Sequence, residues 1–96
     1  MFDKLNAMKQ QMEDLKTQMD NLSVSESVQD GAVVVSANGN GRVTAIELNP
    51  QWLKSCEAEE AEELILLAVN RAVEKASSAH AAEMQKMAGG LLPGMF

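Results

Sequence analysis

The chain of 96 residues has one cysteine, one histidine, two prolines and three aromatic side chains, with no tyrosine. Each scarcity excludes something. The single thiol, Cys56, leaves no internal disulfide and no multi-cysteine zinc site, which suits a reducing cytosol. His80 has no Asp or Ser at a recognisable spacing, so no nucleophile–base pair is visible and a surface position is expected for it. No aromatic side chains are placed to stack on bases. The longest fully apolar run, Leu64–Val69, is far below the roughly 20 residues that span a bilayer. No charged-then-apolar leader opens the chain, so a soluble intracellular protein without a membrane partner is expected. Basic residues are also outnumbered: 8 Lys and Arg stand against 14 Asp and Glu, a formal charge of −6. That balance favours solubility and opposes non-specific capture by nucleic acid or anionic membrane. A length of 96 residues makes one domain, spanning 1–96, near the size where a single chain buries a modest core.

What is present centres on Gly31–Pro50. β-Branched residues flank Asn38-Gly39-Asn40-Gly41, and Asn and Gly tolerate the positive φ of a tight reversal, so two strands joined by a hairpin are expected. Alternation puts Val33, Val35 and Ala37 on one face of the first strand and Thr44, Ile46 and Leu48 on one face of the second. The opposite faces, Val34/Ser36 and Val43/Ala45/Glu47, are mixed. Such a sheet needs covering. Residues 23–30 are polar with valines at 24 and 28; they read as a short edge strand or a linker, and a strand would complete a three-stranded meander over 23–48.

Residues 1–22 read as an amphipathic helix, with Leu5, Met8, Met12, Leu15, Met19 and Leu22 at spacings of 3, 4, 3, 4 and 3. This is an uninterrupted heptad seam. At 1.5 Å per residue the helix is roughly 33 Å long, longer than the hairpin is wide, so part of it projects. The seam either packs on the chain's own sheet or meets a second copy. Its narrowness favours the second copy. Lys9 and Lys16 stack beside the seam at e positions, with Gln11 and Gln18 on the other flank, while Glu13, Asp14 and Asp20 fall on the outer side. The helix is either an ordinary solvated one or a basic edge able to meet phosphates in a dimer.

After the hairpin, Asn49 as N-cap and Pro50 at the first helical position predict a short helical turn over 50–54, with Trp52 and Leu53 plugging the core. A second long helix is expected over 55–88. Ser55 is a possible cap for it, although Ala58 gives no reciprocal capping box. Five glutamates (57, 59, 60, 62 and 63) near its start suit the helix dipole, and without an accompanying histidine they make no metal site. Leu64–Val69 is apolar all round, more than one sheet face can cover, and a second subunit would cover the rest. Arg71 and Lys75 share a face, and Met84 and Met87 continue an apolar edge. Gly89-Gly90 are expected to stop the helix, leaving an apolar tail over 89–96. The Gly-Asn-Gly of the hairpin lacks the Lys and the strand-to-helix context of a phosphate loop.

The order of these pieces resembles one family along nearly the whole chain. The Met/Gln/Lys-rich first helix is followed by Gly31-x-Val33-x-Val35-x-x-Asn38-Gly39, then Gly41-x-Val43 and Ile46-Glu-Leu-Asn-Pro50-x-x-Leu53. Glu62-Glu-Leu64, Ala68-Val-Asn70-x-Ala72 and Met87-x-Gly89-Gly90-x-x-Pro93-Gly94 complete it. The set is similar to the YbaB/EbfC family of bacterial nucleoid-associated proteins. The resemblance implies an α+β fold: a long N-terminal helix, a three-stranded antiparallel sheet and a long C-terminal helix, in an intertwined homodimer with projecting helices. It implies duplex DNA as partner, a cytosolic location on the nucleoid, and no cofactor, small-molecule substrate or catalytic activity.

Two departures bear on this. Family members often carry more lysine in the first helix and a basic C-terminal extension, whereas a dimer of this chain carries −12, twice −6. Weak, salt-sensitive, largely sequence-independent DNA binding through phosphates is therefore expected, with Lys4, Lys9, Lys16 and Lys86 as contacts. No Arg or Asn set on the first helix is suited to reading base edges. The expected dimer interface is Leu5, Met8, Met12, Leu15, Met19, Leu64 and Leu67. The alternative is a dimeric protein-interaction scaffold whose acidic balance leaves little or no DNA affinity.

Overall fold

The computed structural model describes residues 2–91, with side chains over 3–87. The fold is α+β. Helix α1 (Phe2–Asn21) leads into β1 (Ser23–Val28), β2 (Val33–Asn38) and β3 (Val43–Leu48), then α2 (Pro50–Ser55) and α3 (Ala58–Leu91). The strands form one antiparallel meander in the order β1-β2-β3. Residues 23–28 are thus an edge strand and not a linker.

One face of the sheet is the core. Val28, Val33, Val35 and Ala37 pack against Ala68, Ala72 and Ala76 of α3, all buried. The three alanines recur every four residues, so they line one side of the helix, and their small side chains let its backbone lie close to the strands. Trp52 and Leu48 pack on the edge of this cluster. Leu53 departs from the plug expected of it and is exposed.

One strand residue changes sides. Simple alternation groups Val43 with Ala45 and Glu47, away from Ile46. In the structure Ser36 pairs with Ala45 but Ala37 pairs with Val43, so Thr44 is an extra residue in β3. This bulge returns Val43 to the face of Ala37, where it packs against the core, and leaves Thr44 exposed. A one-residue insertion reverses every side chain beyond it.

The two ends of α3 also differ from expectation. Ser55 does not cap it: Ser55 closes α2, its hydroxyl donating to the Trp52 carbonyl at 3.0 Å. Asn49 starts α2 by accepting from the N–H groups of Gln51 and Trp52, and Cys56 ends it in an extended conformation. The first intrahelical bond of α3 then runs from Ala61 to the Glu57 carbonyl. At the other end α3 continues through Gly89 and Gly90 to Leu91. Glycine costs a helix only about 1 kcal/mol; it stops one only where the backbone turns left-handed. The apolar tail over 92–96 lies outside the described residues.

Helix α3 lies over β1 and β2 and barely reaches β3. Ile46 sits opposite Val35 on the core side, yet is 48% exposed. Leu64 and Ile65 pack on the core cluster, while Leu66 and Leu67 remain 61% and 39% exposed on the far side of the helix. The sheet covers only one side of the apolar run.

Candidate nucleic-acid interface

Helix α1 stands off the body of the protein. Its seam is exposed at Leu5, Met8 and Met12, at 57%, 59% and 70%, half-buried at Leu15 and Leu22, and fully buried only at Met19, at 1%. The helix therefore touches the rest of its own chain through its last two turns, and the molecule is drawn out to 62 × 28 × 16 Å.

Those turns are held by the β2–β3 hairpin. Asn38 Oδ1 accepts from the N–H groups of Asn40 and Arg42, and the Gly41 N–H donates to the Asn38 carbonyl at 2.9 Å. Gly41 completes the turn with φ +81°, a left-handed conformation that favours glycine. The tip so formed meets α1 edge-on. The Gly39 N–H donates to the carbonyls of Met19 (2.8 Å) and Leu22 (3.0 Å). Asn40 Nδ2 donates to the Lys16 carbonyl (3.1 Å) and to Asp20 Oδ1 (2.6 Å). His80 Nδ1 of α3 donates to the Gly39 carbonyl at 2.9 Å. The hairpin tip is thereby fastened to both long helices, and it adds a shorter bond to the Met19 carbonyl, which otherwise accepts from the Leu22 N–H at 3.3 Å.

Gly39 is there because nothing larger fits. A Cβ at this position would lie 2.9 Å from the Met19 carbonyl oxygen, 3.0 Å from Met19 Sδ and 3.1 Å from Leu22 Cδ2. The nearest atom is backbone, so the helix itself would have to move. Gly39→Ala is expected to cost about 1–3 kcal/mol and to free α1. Thermal unfolding and hydrogen exchange of the α1 amides measure both effects.

The lysines expected to meet phosphates fall into two groups. Lys4, Lys9 and Lys16 are exposed along α1, and among the described residues none of them is ion-paired. Lys86 is on α3, with Glu83 3.6 Å away; it is remote in sequence from the α1 row and partly neutralised. Lys75 is occupied elsewhere, donating to the Ser25 carbonyl at 3.1 Å and lying 3.6 Å from Glu26, so it fastens α3 to the edge strand. The acids of α1 are exposed; Asp14 accepts from Gln10 and Asp20 from Asn40.

The residues expected at a dimer interface divide as well. Leu5, Met8, Met12 and Leu67 are exposed. Met19 is not available: it is buried against the hairpin tip of its own chain, because the seam's last turn is where α1 docks. Leu64 is half-buried on the core. Ile46, Leu53, Leu66 and Met84, which were not named for an interface, are exposed as well. Leu66 was visible within the all-round apolar run, whereas Ile46 is exposed only because α3 stops short of β3. His80 is half-buried rather than a surface residue; its partner is 41 residues away in sequence, and no local pattern signals it.

A family model described as the YbaB/EbfC DNA-binding family matches residues 1–91. The chain belongs to that family. A nucleoid-associated protein of Clostridium kluyveri is 36% identical over 87 residues, covering 90% of this chain and 76% of the relative. Another, from Pelotomaculum thermopropionicum, is 35% identical over 97 residues, covering 100% of this chain and 92% of that one. A crystal structure of an uncharacterized protein from Helicobacter pylori shares the fold, with a TM-score of 0.74 at 20% identity and 91% of each chain covered. The YbaB/EbfC family is a DNA-binding family and not an enzyme family. In this member of it, the exposed cations without ion-pair partners on α1 lie along a helix that projects beyond the sheet.

Proposed function

We propose that the chain acts as a homodimer that binds duplex DNA weakly, with little sequence preference, through phosphate contacts. The principal contacts are Lys4, Lys9 and Lys16 of each α1, and Lys86 is an outlying one. The protein works on the nucleoid, in the cytoplasm, and catalyses no reaction. One observation carries this reading: α1 projects with its lysines exposed beside a seam whose first part, Leu5 to Met12, its own chain leaves in water. Leu5, Met8, Met12 and Leu15 of the seam, with Leu64, Leu66 and Leu67 of α3, form the dimer surface.

The dimer carries −12 in total, twice −6, so DNA approaches along the α1 edges and is repelled elsewhere. Six principal lysine contacts, three from each protomer, with Lys86 of each adding at most two more, predict a loss of about 10³- to 10⁴-fold in affinity between roughly 50 and 200 mM salt. Titrating a duplex of mixed sequence at both salts tests this. The acidic charge favours a second reading, a dimeric scaffold that grips another protein with the same helices. A wild-type dimer that retains no DNA at the lower salt would establish the scaffold instead.

A further inference from the structure

We infer that Asn40, at the tip of the β2–β3 hairpin, is a positioning residue that sets the angle of the α1 arm and with it the spacing of the phosphate-binding lysines. This rests on the reading of α1 as the DNA-contacting element. Asn40 itself touches no phosphate in this scheme; it acts through the helix it holds.

The bonds are of two kinds. Gly39 holds α1 by its main chain and leaves the helix a pivot at Met19 and Leu22. Asn40 bonds on the next turn toward the N-terminus, at the Lys16 carbonyl, and also grips the Asp20 carboxylate. Two attachments on successive turns fix a direction as well as a point. His80 of α3 also holds the Gly39 carbonyl, so the tip is tied to a second helix and resists following the arm if the arm tilts.

The lever is long enough for this to matter. From Asp20 to Lys4 the helix runs about 24 Å at 1.5 Å per residue. A tilt of about 10° there moves Lys4 by about 4 Å, comparable with the ~3.4 Å axial step between phosphates on one strand. Lys16 lies on the lock and hardly moves. An unlocked arm therefore loses the matched spacing of its lysines without losing any charge.

Salt dependence separates the two. Removing a phosphate contact lowers the slope of log K against log salt by about 0.9. Loosening the arm leaves the contacts of the bound state in place and adds only the cost of ordering it, so affinity falls and the slope stays.

The turn does not need the Asn40 side chain, because Asn38 holds the Asn40 and Arg42 main chain, so Asn40→Ala keeps the hairpin. It is expected to speed hydrogen exchange in the last turn of α1 and to weaken DNA binding at least about tenfold, because two hydrogen bonds are lost, one of them to a charged group, with an unchanged slope. Asn40→Asp sets two carboxylates against each other and is expected to be worse. Asn40→Asp/Asp20→Asn restores a donor–acceptor pair between positions 40 and 20 at the wild-type net charge of −6 but not the bond to the Lys16 carbonyl, to which a carboxylate cannot donate, and is expected to recover only part of the affinity that Asn40→Asp loses.

Failure of each idea is seen in a different sample. A wild type that does not bind DNA overturns the reading of the arm and this inference with it. A wild type that binds, with Asn40→Ala equal to it or Asn40→Asp/Asp20→Asn no better than Asn40→Asp, overturns the positioning role alone.

Discussion

Lys9→Glu/Lys16→Glu is expected to weaken duplex-DNA binding by at least about a hundredfold at ~50 mM salt and to reduce the salt slope by about 3 to 4. Both side chains are exposed on α1, and each dimer presents two copies of each, so four phosphate contacts vanish and four carboxylates face the backbone in their place. The two reversals take each chain from −6 to −10. Neither lysine is ion-paired among the described residues, but each reversal sets a carboxylate four residues from Glu13 or Asp20, so the helix should lose about 1 kcal/mol, and circular dichroism serves as the control. Binding that survives both reversals would move the DNA to another surface. Lys86→Glu alone should matter much less, because Glu83 already lies 3.6 Å from that ammonium.

The second large effect concerns assembly. At micromolar concentration the wild type is expected to sediment as a dimer, and Leu66→Lys/Leu67→Lys as a monomer. These two leucines leave together about one whole side chain in water on each protomer, at 61% and 39% exposure. Burying a leucine contributes roughly 1.5–3 kcal/mol, so two protomers gain about 3–6 kcal/mol from this surface. That corresponds to about a hundredfold to ten-thousandfold in the dissociation constant. Neither side chain faces the sheet, so the monomer should keep its helix content. If the variant sediments with the wild type, the interface lies elsewhere; if the wild type is itself monomeric, the dimer is wrong.

The two substitutions also separate the functions of the molecule. Charge reversal on α1 should spare assembly, because Lys9 and Lys16 flank the seam rather than fill it. Loss of the dimer should weaken DNA binding as a consequence, since one arm supplies only half the phosphate contacts and counterion release scales with their number. Affinity lost in both variants, with assembly lost in one, is the pattern expected of a two-armed clamp.

Much of this molecule is legible in its sequence because the determining rules are local. Backbone preferences at Asn38, Gly39 and Gly41, the alternation of valines in β2, and the Asn49-Pro50 start of α2 act within a few residues of one another. The heptad of α1 likewise follows from 3.6 residues per turn. The family order of motifs brought the third strand, which composition at 23–28 left open between strand and linker. Other features were decided by contacts between distant residues. Val43 faces the core because β3 slips by one residue where it meets β2, and Met19 leaves the seam because Gly39, 20 residues on, allows α1 to dock there. Asn40 and His80 become a lock only when the hairpin tip is fastened to two helices that the chain places at opposite ends. Periodicity says which side of a helix is apolar; which part of that side its own chain covers, and which part is left for a partner, depends on where the elements are packed.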